Sequence, residues 1–156
     1  MKPRPVRIPF ILVSLVLASW VLSVSAADKK TAKLTLHTVK ASDKGEGDKY
    51  DTESEKLKSA LKSINKSYFR YVKKYEYTVT LGEKQSIEVP VGKVEITVKE
   101  KDSGKYPVTV RWIKDSDKDY VKINLKISPG SLLAVGSDSA SYDGGKLVLV
   151  VKVDDT

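Results

Sequence analysis

The segment VKINLKI at residues 121–127 alternates between apolar and polar side chains. A period of two residues is typical of a strand that buries one face and leaves the other in water. The same alternation recurs at residues 33–39, 75–81, 87–91, 94–98 and 108–112, and turn residues such as Gly, Asp, Ser and Lys separate these segments. Such a chain buries its apolar residues by pairing strands into sheets.

Seven or eight segments of this kind follow one another, with a turn signal every eight to twelve residues. The pattern predicts a mainly β fold, either a β-sandwich or a partly open barrel of seven or eight short antiparallel strands. The last segment, KLVLVVKV at residues 146–153, is apolar on both faces. That composition favours a central position in its sheet.

One inserted helix is predicted near residues 53–72. Leu57, Leu61, Ile64 and Tyr68 recur at spacings of four, three and four residues, which forms one stripe of an amphipathic helix. Beyond this segment the period changes from that of a helix to that of a strand.

The stretch YFRYVKKYEY at residues 68–77 contains this change of period. Tyr68 belongs to the helical stripe, whereas Tyr75 and Tyr77 alternate with polar residues. The alternation predicts that Tyr75 and Tyr77 lie on the buried face of a strand.

Phe69 and Tyr71 fit neither pattern, so they are the rings of this stretch that we expect to be exposed. Together with Arg70, Lys73 and Lys74 they form the candidate contact surface. The alternative is that the two rings close the helix against the sheet and have no binding role.

The first 27 residues have the three parts of a secretory signal peptide. Three basic residues lie within the first seven, an apolar run covers residues 8–24, and small residues follow. This pattern predicts cleavage after Ala26 or Ala27 and export of a single β-rich domain at residues 28–156. The alternative is an uncleaved anchor, but a membrane helix needs roughly 20 apolar residues. This run is slightly shorter and contains serines.

The chain contains no cysteine. Disulfides, thiolate zinc sites, cysteine nucleophiles and lipid anchors on cysteine are therefore excluded. An exported domain without disulfides depends on an ordinary hydrophobic core. A chain of this length is able to bury roughly two-thirds of its surface.

The chain has 28 basic and 20 acidic residues, and three of the basic ones belong to the signal segment. The exported part therefore has 25 basic residues, 20 acidic residues and a net charge of +5. The two signs are interspersed, which keeps a small domain soluble. Single-stranded nucleic acid binding needs exposed rings on a basic face. Three of the five rings in residues 68–77 (Tyr68, Tyr75 and Tyr77) are predicted to face the hydrophobic core. No nucleic-acid partner is therefore predicted.

Several local features look like parts of functional motifs but are incomplete. His37, the only histidine, lies on the face opposite the apolar residues of its strand, which is typical of a packed or polar-face histidine. DSDKD at residues 115–119 begins like a calcium loop but lacks the later Gly and Glu. GEG at residues 45–47 lacks the third glycine of a dinucleotide fingerprint. Ser63 and Lys66 have the S-x-x-K spacing within a plain helical pattern. The sequence predicts no catalytic, cofactor-binding or metal-binding residue, and no enzyme.

Three stretches carry a resemblance to a family. They are LHTVKASDKGEGDKY, LKSALKSINKSYFRYVKKYEYTVTLGEKQSIEVPVGKVEITV and ISPGSLLAVGSDSASYDGGKLVLVVKV. The chain resembles small exported bacterial proteins that share a His-containing first strand, a G-x-G loop, a helix closed by an aromatic cluster and a final glycine-punctuated hairpin. The resemblance implies a mainly β fold in the periplasm or cell envelope of a bacterium. It carries over no functional residues.

These observations lead us to expect an exported, non-enzymatic accessory or scaffolding protein that contacts another envelope protein. The alternative is a module that binds envelope polysaccharide. No stable membrane span is expected after cleavage. A concave groove with two exposed rings would favour polysaccharide, whereas a flat apolar patch or a free strand edge would favour a protein partner.

Overall fold

The computed structural model of the protein describes residues 28–114 and 118–156. The predicted signal peptide lies outside the described residues, and so do residues 115–117 of the calcium-like turn. The described chain forms eight strands and two helices of four residues each. In chain order these are β1 (Thr31–Ser42), α1 (Thr52–Glu55), α2 (Lys58–Leu61), β2 (Tyr68–Thr80), β3 (Lys84–Glu88), β4 (Lys93–Val98), β5 (Tyr106–Ile113), β6 (Asp119–Ile127), β7 (Leu132–Tyr142) and β8 (Gly145–Asp155).

The strands form two antiparallel sheets of four strands each. The first sheet has the order β2-β1-β8-β7, and the second has the order β3-β4-β5-β6. The predicted mainly β fold is therefore confirmed. No pairing among the described strands joins the two sheets into a closed barrel, so the fold is a sandwich.

The main hydrophobic core lies between the two sheets. Leu34 and Leu36 of β1 are completely buried, and so are Val110 and Trp112 of β5. The indole N–H of Trp112 donates a 2.7 Å hydrogen bond to the backbone oxygen of Val91. Burial of a tryptophan requires such a partner for its one polar atom. The alternation at residues 108–112 predicts that Trp112 shares the inner face with Val108 and Val110, and its complete burial confirms this.

Strand β8 is buried on both faces. Leu149 and Val151 belong to the core between the sheets. Val148 and Val150 belong to a second apolar cluster, on the opposite face of the first sheet. The pairing of β8 with both β1 and β7 confirms the predicted central position.

The prediction of one long helix over residues 53–72 is wrong. Only residues 52–55 and 58–61 are helical, and β2 begins at Tyr68. From there β2 pairs with β1 along its whole length. Aromatic and β-branched residues favour this extended state. The predicted apolar stripe is nevertheless real at its start, because Leu57 and Leu61 are buried in the second cluster.

Candidate binding surface

All ten residues of YFRYVKKYEY lie in β2, which contains one irregularity. Tyr71 lies opposite Val39 of β1, and Lys73 lies opposite Thr38, so Val72 is an extra residue with no partner of its own. A bulge of this kind exchanges the faces that successive residues occupy. Residues before Val72 therefore follow a different alternation from residues after it.

Phe69 is completely buried, so the prediction that it is exposed is wrong. It packs in the second cluster with Leu57 and Leu61. Its ring stacks on Tyr50, with centroids 5.1 Å apart and an interplanar angle of 8°. Phe69 closes the helical segment against the sheet, which is the alternative that the sequence had left open.

Tyr71 is half-buried beside this cluster. Its hydroxyl lies 3.2 Å from Nδ1 of His37. His37 lies on the face opposite Leu34 and Leu36, as predicted. Partial burial, together with the positive charge of Lys74, lowers the pKa of His37 below its ordinary value. The pair is a structural contact between β1 and β2, with His37 held in its neutral form near pH 7.

Asp51 attaches the preceding loop to the start of β2. Its Oδ1 accepts a 2.8 Å hydrogen bond from the backbone N–H of Ser54. Its Oδ2 accepts a 2.7 Å bond from the backbone N–H of Tyr71. Partial burial opposes ionisation, but the hydrogen bonds from Ser54 and Tyr71 and the charge of Arg70 outweigh it and lower the pKa of Asp51. The same carboxylate therefore caps α1 and covers the edge of β2.

Arg70 serves this loop as well. Its guanidinium donates to the backbone oxygens of Glu46 at 2.6 Å and Phe69 at 2.9 Å. It also lies over the ring of Tyr68, 5.6 Å from the centroid. Gly45 approaches that ring so closely that an added Cβ would be 2.8 Å from it. Arg70 therefore fastens the loop at Glu46 and Lys49 to the start of β2.

The candidate contact surface is thus divided by the structure. Phe69, Arg70 and Tyr71 hold the loop and the helical segment. Lys73 and Lys74 lie beyond the bulge and are exposed. Tyr75 and Tyr77 pack against the main core while staying half-buried, in agreement with their predicted face.

Strand β6 presents a different surface, at the edge of the second sheet. No described residue pairs with its outer side. Ile123 is 37% exposed and is the one exposed large apolar side chain in the described part of the chain. Its neighbours Val121 and Leu125 are half-buried on the same face. We call Val121, Lys122, Ile123, Leu125 and Lys126 the β6 edge.

The other face of the β6 edge is basic. Lys122 lies directly opposite Arg111 of β5. Arg111 is paired with Asp119 at 2.8 Å and with Glu95 at 3.7 Å. Lys126 is paired with Asp102, and both side chains are more than half exposed. Lys122 makes no ion pair with a described residue.

The exposure of Ile123 was not apparent from alternation alone. The alternation correctly predicts the face on which Ile123 lies, but it does not predict that β6 is the last strand of its sheet. The lysines at positions 122 and 126 are the signal that could have identified it, because edge strands commonly carry lysines that oppose unwanted pairing.

A cleft of about 400 Å³ lies elsewhere, between residues 63–66 and residues 136–138. Its polar lining includes Asn65, Asp138 and Lys146, and its floor includes Val148. No aromatic ring is among the described residues that line it.

Among the described residues, no three His, Asp or Glu side chains are grouped so as to hold a metal ion. Within residues 28–114 and 118–156, neither helix has the length and apolar character that crossing a membrane requires.

Comparisons with protein-family models, curated proteins and solved structures gave no match to this chain. The resemblance to small exported bacterial proteins therefore stays a prediction.

Proposed function

We propose that this protein is an exported, non-enzymatic component of the bacterial envelope that acts by contact with another protein. The observation that supports the proposal is the β6 edge. It combines an unpaired strand side with Ile123, an exposed apolar side chain. An extended segment of a partner protein is able to add to such an edge as a further strand.

An added strand would stabilise β6 in two ways. Its backbone would pair with the outward N–H and C=O groups of the edge, and each such hydrogen bond contributes about 0.5–1.5 kcal/mol. Its side chains would also cover Ile123 and the half-buried Val121 and Leu125. Backbone pairing supplies the affinity, and the side chains supply the selectivity.

The polysaccharide alternative is supported by a different observation, the cleft beside Lys146. Its amide, carboxylate and ammonium groups are suited to the hydroxyl groups of a sugar. None of the described residues that line the cleft has an aromatic ring on which a sugar could stack. We therefore place this function second.

Site-specific crosslinking in intact cells distinguishes the two functions. A photoreactive residue at position 123 should form a covalent adduct with one protein of defined mass. The matched control is position 86, since Ser86 is an exposed residue of β3, the other edge strand of the same sheet. Adducts of equal yield from both positions would indicate random collision and contradict the proposal.

The variants Ile123→Asp and Lys146→Ala complete the test. Ile123→Asp should abolish the adduct when the crosslinker is placed at position 121, whereas Ser86→Asp should leave it unchanged. The second function is tested by retention of the protein on purified envelope polysaccharide. It would be favoured if Lys146→Ala abolished this retention and Ile123→Asp did not.

Export is tested by the intact mass of the protein recovered from cells. The pattern of residues 1–27 predicts a chain that begins at Ala27 or Asp28. A membrane-bound chain that still begins at Met1 would show that the segment is retained.

A further inference from the structure

We infer that the β6 edge binds a strand in which acidic and apolar residues alternate, and that this strand belongs to a different protein and not to a second copy of this chain. The inference rests on the proposed function and specifies the partner of the same surface. It is carried by the distribution of charge across the two faces of β6.

The two faces of β6 require opposite side chains from an added strand. Side chains directly opposite one another on neighbouring strands lie about 5 Å apart and interact. On the inner face the added strand would meet Val121, Ile123 and Leu125, which favours apolar residues. On the outer face it would meet Lys122, which makes no ion pair with a described residue, and Lys126, whose pair with Asp102 is exposed, and this charge favours carboxylates. Period-two alternation of acidic and apolar residues satisfies both faces at once.

The outer face already has an excess of positive charge. Lys122 lies opposite Arg111 on β5, and like charges in this position are destabilising. The acidic neighbours Asp119 and Glu95 are already paired with Arg111. An acidic residue on the outer side of Lys122 would supply the opposite charge that β5 does not.

The same lysines disfavour a second copy of the chain. In an antiparallel pair of β6 strands centred on Asn124, each Lys122 would lie directly opposite Lys126 of the other copy. In a pair centred on Ile123, Lys122 would lie opposite Asn124 and diagonal to the lysines of the other copy. Both registers keep the apolar residues on one face, and both collect four lysines on the other. Side chains as long as lysine interact even at the diagonal spacing.

Three synthetic peptides of nine residues test the inference with the purified exported protein. Valine alternates with glutamate in the first, with glutamine in the second and with lysine in the third. Affinity is measured by fluorescence anisotropy, and the binding strand is located by NMR shifts of the β6 amides. We expect the glutamate peptide to bind roughly five- to tenfold more tightly than the glutamine peptide and the lysine peptide to bind most weakly. Added salt should reduce the difference.

A charge reversal provides the complementary measurement. The double variant Lys122→Glu with Lys126→Glu should prefer the lysine peptide over the glutamate peptide. The matched control reverses Lys99 and Lys105, which are exposed lysines outside β6, and should keep the original order. Ile123→Asp should weaken binding of all three peptides. Circular dichroism shows whether each variant is folded.

The outcomes separate this inference from the proposed function. Equal binding of the glutamate and glutamine peptides would overturn the charge selection while leaving strand addition at β6 intact. Absence of peptide binding, together with a specific adduct from position 123 in cells, would show a partner that is not such a strand. A dimer in sedimentation that Ile123→Asp dissociates would identify a second copy as the occupant and overturn the inference. Loss of both peptide binding and the adduct would remove the proposed function as well.

Discussion

The start of β2 and the whole of β6 both lie at the edge of a sheet, but their backbones differ in what they bind. At the start of β2, Asp51 and the loop before it bind the backbone of the edge. Beneath this cover Phe69 is completely buried. At β6 no described strand pairs with the outer side, and Ile123 is exposed among lysines. The backbone at the start of β2 is thus hydrogen-bonded by another part of the chain, whereas the outer side of β6 is unpaired. Lysines on such an edge strand oppose unwanted pairing with other chains.

This difference also explains the aromatic and basic composition of residues 68–77. A cluster of rings and cations resembles a binding surface when it is read as a sequence. In the fold, Arg70 donates to loop carbonyls and Phe69 fills the space under the helical segment. The composition of this stretch therefore serves to close an edge, whereas β6, with its plainer sequence, has an unpaired edge with an exposed isoleucine.

The largest expected effect concerns the residue that supports the open edge from within. Trp112 lies opposite Val121, and its ring contacts Tyr120 with centroids 5.3 Å apart. We expect Trp112→Ala to reduce the free energy of unfolding by about 3–5 kcal/mol, because it leaves a large cavity and removes the partner of the Val91 carbonyl. Denaturant unfolding measures the loss. A value below about 1 kcal/mol would mean that β6 is held by other contacts.

Removal of Phe69 tests whether the covered edge is part of the core. Phe69→Ala should cost about 3 kcal/mol or more, since the ring is completely buried beside Leu61. The matched control is Lys74→Ala on the exposed half of the same strand, which should change stability by no more than about 0.5 kcal/mol. Equal small effects of both variants would remove the distinction between the two halves of β2.

Variants of Asp51 test how much the loop before β2 stabilises this edge. Asp51→Ala removes a helix cap and leaves the Tyr71 N–H without its acceptor, so we expect a loss of roughly 1–3 kcal/mol. Asp51→Asn, which keeps one acceptor oxygen, should lie between the alanine variant and the wild type. Faster hydrogen exchange at the amide of Tyr71 would locate the effect at this edge.

The lowered pKa of Asp51 adds a dependence on pH. The stabilisation by a carboxylate whose pKa is lower in the folded state is complete above the unfolded value of about 3.9. It is lost as the pH falls from there through the folded value. The wild type should therefore lose more stability on acidification below about pH 4 than Asp51→Asn does. Parallel stability profiles for the two proteins would contradict this role of Asp51.

The sequence predicted most of the strands but not the course of residues 53–72. Strands such as β6 were predictable because apolar residues recur every second position on one face, and β1 was predictable because Leu34 and Leu36 alternate with polar residues in its first half. The stripe from Leu57 to Tyr68 was misleading at its end, because Tyr68 is not helical and already pairs with Ser42 of β1. Pairing with a strand distant in sequence outweighed the local pattern.

The bulge at Val72 explains why Phe69 and Tyr71 fitted no pattern. Odd-numbered residues before the bulge face the helical segment, whereas Tyr75 and Tyr77 after it face the main core. The inserted residue exchanges the faces, so odd-numbered residues before and after Val72 lie on opposite faces although their spacing in the sequence is unchanged. The candidate surface at residues 69–74 was therefore assigned largely to structural residues, and the β6 edge was missed because alternation does not reveal which strand is the last of its sheet.

The smallest expected effect is that of Ile123 on the stability of the isolated protein. Ile123→Thr keeps a β-branched side chain, which suits a strand, and removes apolar surface that is already 37% exposed. We expect a loss of about 1 kcal/mol or less, since partial burial leaves little transfer free energy to lose. The control Ile127→Thr changes the same residue type on the same face of β6 where only 2% is exposed, and it should cost clearly more. If the two variants were equally destabilising in denaturant melts, Ile123 would be a core residue, and β6 would be a closed edge like the start of β2.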